Sequence, residues 1–240
     1  MCYHINVKIE NKSKTSVEEL FNSNLTIDEI QSYDHVNGFQ RPEMLIITQE
    51  EPDLIQKGVW SIAPPNCNNL SSYWKEKKGS ALNTRDDSLF TNKSANWKSS
   101  SILTQKCLVI VTGFFEPHKV NKISYPYLLE RPNKEIFALL GYYTKQNEGL
   151  LTFSILTTNA NEYLSKVHNE AKRMPLTVLP ENKQSIFDLT TEEDLKNEFS
   201  LNYSIPLEAK AVSRDIFNSR INTNSEKYTD EIFHPIITEF

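Results

Sequence analysis

Cys2 directly follows the initiator methionine, in the run Met1-Cys2-Tyr3-His4. A small side chain at the second position normally lets an aminopeptidase remove Met1. Cys2 would then carry a free α-amine and a thiol on adjacent carbons. An α-amine titrates at roughly 7.7–8.0 and an ordinary thiol near roughly 8.5, so both would supply a nucleophilic fraction at neutral pH. Together they condense with an aldehyde: the amine forms an imine, and the thiol then closes a five-membered thiazolidine. No internal cysteine has both groups. The plain alternative is an inert cysteine that happens to stand second.

Three further polar clusters stand beside apolar runs. Asn83 and Arg85 lie two apart in Leu82-Asn83-Thr84-Arg85-Asp86-Asp87-Ser88, which reads as a loop or extended segment. Here Asn83 could simply make a turn, and Arg85 could simply pair with Asp86 or Asp87. Glu116 ends an apolar strand in Gly113-Phe114-Phe115-Glu116-Pro117. Exposed, it is a strand end. Buried, its pKa rises and it can give or take a proton near pH 7. His168 and Arg173 lie in Val167-His168-Asn169-Glu170-Ala171-Lys172-Arg173-Met174-Pro175, at a helix end just before a strand. His168 could be only a dipole partner for that helix, and Arg173 only a partner of Glu170. Trp60, Trp74 and Trp97 are core candidates, although Trp74 sits among Lys75, Lys77 and Lys78. His4, His35, His118 and His234 show no metal-ligand spacing.

The elements that must position these residues are short. β-Branched and aromatic runs recur at Met44–Thr48, Val59–Ala63, Cys107–Thr112, Tyr125–Glu130, Ile136–Tyr143, Leu151–Thr158 and Leu176–Leu179, bounded by Gly, Pro, Asn and Lys. They predict strands. Val111-Thr112-Gly113 ends a buried strand at a bend, and Asn121-Lys122 reads as a hairpin turn between Phe115 and Tyr125. Helices are predicted at Ser16–Asn22, Thr26–Gln31, Asn69–Lys78, Asn161–His168 and Thr191–Phe199. Strands and helices interspersed without a βαβ rhythm predict an α+β fold. The 240 residues form one domain, 1–240, with a partly peripheral acidic segment over 181–240. Residues 54–134 hold twelve Lys/Arg against five Asp/Glu, so a net charge of −5 leaves room for a local phosphate-binding surface. No apolar run approaches the roughly 20 residues that span a bilayer, and 1–9 has no signal-peptide core. The expected location is the cytoplasm, or the nucleoid when DNA is bound. Three cysteines, with no CxxC pair, predict neither a disulfide framework nor a zinc site.

In this order the clusters resemble the SOS-response-associated peptidase (SRAP) family of abasic-site processing proteins. The family pattern runs from Met-Cys through Trp-Gly-Leu-Ile-Pro, Asn-Ala-Arg-x-Glu-Thr and Arg-Cys-Leu-x-Pro-x-x-Gly-Phe-Tyr-Glu-Trp to Thr-x-x-Ala-Asn and His-x-Arg-Met-Pro. Matching it are Met1-Cys2, Trp60-Ser61-Ile62-Ala63-Pro64, Asn83 to Ser88, Lys106-Cys107-Leu108 through Gly113-Phe114-Phe115-Glu116, Thr157-Thr158-Asn159-Ala160-Asn161, and His168 with Arg173-Met174-Pro175. The likeness covers roughly 1–180, and more loosely Val212–Asn218. Three departures stand out. Tyr3-His4 replaces the frequent Gly-Arg, Pro117 replaces an aromatic residue, and Glu170-Ala171-Lys172 lengthens the His-to-Arg spacing.

The resemblance implies a mixed α+β fold with a bifurcated, barrel-like sheet and flanking helices. It also implies Met1 removal and covalent capture of abasic sites in single-stranded DNA by Cys2. Glu116 would shuttle protons, Asn83 would hold the N-terminus or the sugar, and His168 would assist ring opening or reversal. Arg85 and Arg173 would hold phosphates, and Trp74 would stack on a flanking base. No metal or organic cofactor is required, and a monomer is expected. Two other readings of the residues remain open. One is an N-terminal-nucleophile amidohydrolase or peptidase, including autocatalytic loss of Met1, in which the α-amine is the base for Cys2. The other is a non-catalytic single-strand nucleic-acid-binding module.

Overall fold

The computed structural model describes residues 2–9, 14–26, 30–91, 96–200 and 205–233. Met1 and His234 lie outside the described residues, as does part of the helix predicted at Thr26–Gln31; of that helix, Thr26, Ile30 and Gln31 are described and are not helical. The first half of the chain supplies β1 (His4–Val7), α1 (Lys14–Phe21), β2 (Asn24–Leu25), β3 (Tyr33–Asn37), β4 (Glu43–Thr48) and β5 (Leu54–Trp60). Then come α2 (Leu70–Lys77), β6 (Asn83–Arg85), α3 (Asp86–Leu89), α4 (Asn96–Thr104) and β7 (Lys106–Val111). The second half supplies β8 (Gly113–Val120), β9 (Ile123–Glu130), β10 (Phe137–Lys145), β11 (Leu151–Asn159), α5 (Glu162–Val167), β12 (Arg173–Pro175) and β13 (Thr177–Val178). It closes with α6 (Lys183–Phe187), α7 (Glu192–Ser200) and β14 (Glu208–Ala211).

The fold is mixed α+β, built on two sheets. The larger runs β12-β11-β10-β7-β4-β5-β2, and β11 also pairs in parallel with β5, so the strands from β11 round to β5 close into a ring. The smaller runs β14-β9-β8-β1-β3. One face of the ring carries the buried apolar side chains Ile46, Val109, Leu139, Phe153 and Ile155. This is the surface whose removal from water drives folding. β7 belongs to the larger sheet and β8 to the smaller, so the bend at Thr112 carries the chain from one sheet to the other.

Local chemistry explains the elements that position the site. The β8–β9 hairpin turns at Asn121 and Lys122, with φ of 49° and 68°. Positive φ at both central residues gives a turn whose twist matches the strands it joins. Asn69 caps α2 by accepting from the Ser72 amide, and Asn161 caps α5 by accepting from the Leu164 amide. α5 ends at His168, as the sequence predicts. The strand predicted at Val59–Ala63 runs instead over Leu54–Trp60. Beyond Trp60 the chain leaves the β4 ladder, and the Ile62 amide donates to the Ala81 carbonyl. No helix among the described residues is long and apolar enough to cross a membrane.

Candidate active site at the N-terminal cysteine

β1 lies antiparallel to β8, with His4 opposite Phe115, Ile5 opposite Phe114 and Asn6 opposite Gly113. Continued two residues towards the N-terminus, this register carries Cys2 alongside Glu116 and Pro117. Cys2 is fully buried, with Sγ 3.7 Å from the His4 carbonyl oxygen. Burial, and then the negative charge of Glu116, hold its thiol pKa well above the ordinary 9.0. The thiolate fraction expected of an ordinary cysteine at neutral pH is therefore missing.

Glu116 lies close enough for its charge to act on that thiol. Side chains alternate along a strand, so Phe114 and Glu116 share one face of β8 and Phe115 takes the other. Glu116 is only 1% exposed, and burial pushes its carboxyl up to about 7, against the opposing pull of the amino-terminal charge. His168 meets it from the C-terminal end of α5. Its Nδ1 lies 2.8 Å from the Arg173 carbonyl and 3.1 Å from Glu116 Oε2. Burial lowers the imidazole to about 4. The carbonyl requires a proton on Nδ1, so the ring is neutral with its hydrogen on that nitrogen. Between pH 4 and 7 both partners are thus neutral, and the 3.1 Å approach is a contact of uncharged groups rather than an ion pair. The three residues that lengthen the His-to-Arg spacing are taken up in a turn. Its Lys172 has a φ of 47° and donates its amide to the His168 carbonyl.

Asn83 arrives from a third direction. β6 runs parallel to β11, with Asn83 opposite Ile155. The Thr84 hydroxyl anchors this short strand, 2.7 Å from Tyr142 Oη and 3.1 Å from Ser154 Oγ. Asn83 Nδ2 donates to the Cys2 carbonyl at 2.7 Å, while its buried Oδ1 has no hydrogen-bond partner among the described residues. Cys2, Asn83, Glu116 and His168 therefore come together from four separate stretches of chain.

The side chains expected to touch DNA are placed differently. Arg85 is exposed and forks onto Asp87, with contacts of 3.0 and 2.5 Å. Arg173 is 3% exposed and is spent inside the protein, on Asp86, Asn159 and the Thr157 carbonyl, not on Glu170. Its guanidinium does not reach the surface that a phosphate ligand needs. Trp74 is half-buried, donates to the Ser61 carbonyl at 2.7 Å, and has the Arg41 guanidinium 5.2 Å above its ring. The more exposed aromatic is Phe39, 50% exposed, whose ring centroid lies 5.1 Å from that of Tyr3. The only sequence hint of Phe39 is an apolar residue inside Asn37-Gly38-Phe39-Gln40, a turn-like run. His4, which departs from the family's arginine, stacks on His35, with Nδ1 2.8 Å from its Nε2. Burial holds His4 near 3, so it offers no charge to a phosphate. Cys2, Cys67 and Cys107 are free thiols, and the described residues contain no group of three or more His, Cys, Asp or Glu able to hold a metal.

Residues 1–219 match the family model of the SOS response associated peptidases (SRAP), and the chain belongs to that family. Among curated relatives it is similar to the abasic site processing protein YoqW of Bacillus subtilis strain 168, with 26% identity over 190 residues, 76% of this chain and 80% of YoqW. The abasic site processing protein YoaM of the same strain is also 26% identical over 190 residues, covering 76% of this chain and 78% of YoaM. The fold is shared with a crystal structure from Bacteroides thetaiotaomicron, at TM-score 0.75 and 23% identity, covering 97% of this chain and all of the other. A Bordetella bronchiseptica structure follows at TM-score 0.69 and 17% identity, covering 88% of this chain and all of the other.

Proposed function

We propose that this protein captures abasic sites in single-stranded DNA as a covalent thiazolidine on Cys2, once hydrolysis has removed Met1. The observation that carries the reading is the meeting of a buried Cys2 with a carboxyl that titrates near neutral pH, inside a family whose relatives YoqW and YoaM are named abasic site processing proteins. A ring-closed abasic sugar opens by breaking its C1′–O4′ bond, exposing an aldehyde. Glu116 in its protonated form gives a proton to the departing ring oxygen, while the C1′ hydroxyl releases its own proton to solvent. The Cys2 amine adds to C1′ and expels water, giving an imine. Glu116, now ionised, takes the thiol proton and is restored to its acid form while Sγ adds to the same carbon, and the former imine nitrogen takes up a proton from solvent to end as an N–H. The net loss is one water and no electrons are transferred. Asn83 fixes the Cys2 carbonyl through Nδ2, and its unsatisfied Oδ1 accepts a hydrogen from the amine. His168 holds the Glu116 carboxyl in place and assists opening and reversal.

Phe39 and the Trp74–Arg41 pair give the flanking bases an aromatic, cationic surface. The site acts in the cytoplasm, on the nucleoid, without a cofactor.

Intact-mass analysis after mixing with an abasic single-stranded oligonucleotide tests the reading. The expected species is the chain without Met1 plus the oligonucleotide, less one water, and it survives denaturant. Reversible, salt-sensitive binding alone would leave only a nucleic-acid-binding module. Amide turnover without an adduct would favour an amidohydrolase.

A further inference from the structure

Arg173 touches both halves of the site from within the protein. Its main-chain carbonyl accepts the Nδ1 hydrogen of His168 at 2.8 Å. Its side chain reaches the other way: Nη2 donates to Asp86 Oδ1 at 2.8 Å and to the Thr157 carbonyl, and Nη1 donates to Asn159 Oδ1 at 2.9 Å. Asp86 begins α3 immediately after β6, three residues beyond Asn83. Its second oxygen accepts from the Thr158 hydroxyl at 2.6 Å. One residue therefore links the strand that presents Asn83, the strand it runs beside, and the tautomer of His168.

The local charge speaks against a second job. Arg85 forks onto Asp87, Arg173 bonds Asp86, and Asp87 Oδ2 lies a further 3.7 Å from Arg173 Nη1. Two guanidinium groups thus face two carboxylates. A phosphate arriving at Arg173 would have to displace a carboxylate and settle beside another. Breaking such a buried pair from one side is costly, because it strands the remaining charge.

We propose that Arg173 is a positioning residue for adduct formation, and not a phosphate ligand: the Asp86–Arg173–His168 chain sets Asn83 and His168 at their distances around Cys2. This rests on the capture reading above. It is a role that the matching of motifs does not assign, since that matching points Arg173 at DNA.

The test compares the wild type with Asp86→Asn and with the pair Asp86→Asn/Arg173→Gln, which leaves no buried charge stranded. Two quantities are measured: the single-turnover rate of denaturant-stable adduct on an abasic oligonucleotide, and the salt-dependent affinity for the same oligonucleotide carrying an unreactive tetrahydrofuran site. Both variants should lose tenfold or more in rate. The pair should lose about as much as the single variant, because the residues act through one network. Affinity should stay within twofold, with an unchanged salt slope. A merely structural weakening would show in the melting temperature, and would not separate rate from affinity in this way.

Three results would overturn the assignment. One is a paired variant whose salt slope falls by about 0.7, the share of one phosphate contact on a single strand. Another is an Asp86→Asn protein that binds more tightly because Arg173 has been released. The third is an unchanged rate in both variants. Should the pair fail to fold, Asp86→Asn alone decides by the same rate and affinity. A wild type that forms no adduct refutes the capture reading itself, and with it the role given to Arg173.

Discussion

Replacing Glu116 with Gln should stabilise the protein above neutral pH while disabling it. The carboxyl is buried and titrates at about 7, against an ordinary 4.5. Below 4.5 it is protonated in both the folded and unfolded chains, and its environment exacts nothing. As pH rises from 4.5 towards 7, the unfolded chain releases the proton and the folded chain keeps it, so stability falls with pH. Above 7 both states are ionised and the loss levels off. At about 1.4 kcal/mol for each tenfold change in proton affinity, the full loss is on the order of 3 kcal/mol. Gln cannot ionise and escapes that loss. His4, His35 and His168, lowered to about 3, 4 and 4, act in the opposite sense. They weaken the fold as pH drops below their ordinary 6.5, but they are present in both proteins and cancel in the difference. Urea unfolding of the two proteins, run in parallel from pH 4 to 8.5, reads that difference. It should be near zero at pH 4, rise between 4.5 and 7, and reach roughly 3 kcal/mol in favour of Gln at pH 8. Over the same range the variant should form adduct roughly a hundredfold more slowly, the lower end of what a positioned proton-transfer group contributes. Affinity for an unreactive abasic analogue should hardly change. A stability difference flat across the whole range would refute the raised carboxyl, and an unchanged rate would move the proton shuttle elsewhere.

Cys2→Ala should abolish the denaturant-stable adduct and keep salt-sensitive binding, since the amine survives and the ring-closing thiol does not. Borohydride should then trap an imine on the oligonucleotide, and an undiminished stable adduct would refute thiazolidine closure. His168→Ala should slow both formation and reversal of the adduct by tenfold or more without weakening binding, read by chasing a preformed adduct with excess unlabelled abasic strand. Lys75→Ala with Lys78→Ala, both exposed beside α2, should lower the salt slope of binding by about 1.4 if each meets one phosphate, at 0.7 apiece on a single strand. No change in slope would direct the strand away from that face.

Much of the fold is legible where a strand is buried on both faces. Cys107 to Val111 and Leu151 to Thr158 are near-continuous apolar or β-branched runs, and both lie in the larger sheet. Short or half-polar strands escape notice. His4-Ile5-Asn6-Val7 alternates but is only four residues long, and Tyr-Asp-His-Val-Asn carries little alternation; β1 forms on the edge of β8, and β3 on the edge of β1. Asn83-Thr84-Arg85 has no strand pattern and is held by the Thr84 hydroxyl and its parallel register with β11. The four residues of the site are nameable from motifs. Their convergence is not, because it depends on register and on the crossing between sheets. The surroundings of Arg173 are illegible for a different reason. Motif matching says which residue types recur, but not that Asp86 stands three residues beyond Asn83 and absorbs the guanidinium.

The burial of Glu116 is a product of the crossing itself. A glutamate at the end of an ordinary edge strand would be solvated, and its pKa would stay near its ordinary value. Glu116 is buried because β8 starts against the larger sheet and then pairs with β1 on one side and β9 on the other. Thr112 holds the bend tightly: its hydroxyl donates to Asn6 Oδ1 at 2.5 Å and accepts from the Lys8 amide at 2.8 Å, and its own amide donates to the Asn6 carbonyl at 3.0 Å. Gly113 then permits the close pairing with β9, since a Cβ there would lie 2.8 Å from the Leu129 carbonyl oxygen. The same latch draws β1 along β8 and so brings Cys2 to Glu116. Burying the acid and delivering the nucleophile are thus one structural event. Their chemistry is coupled in turn, because the burial that keeps Glu116 protonated near pH 7 also keeps the Cys2 thiol protonated. In the proposed capture, holding the thiol back until Glu116 has given up its proton would place imine formation before ring closure.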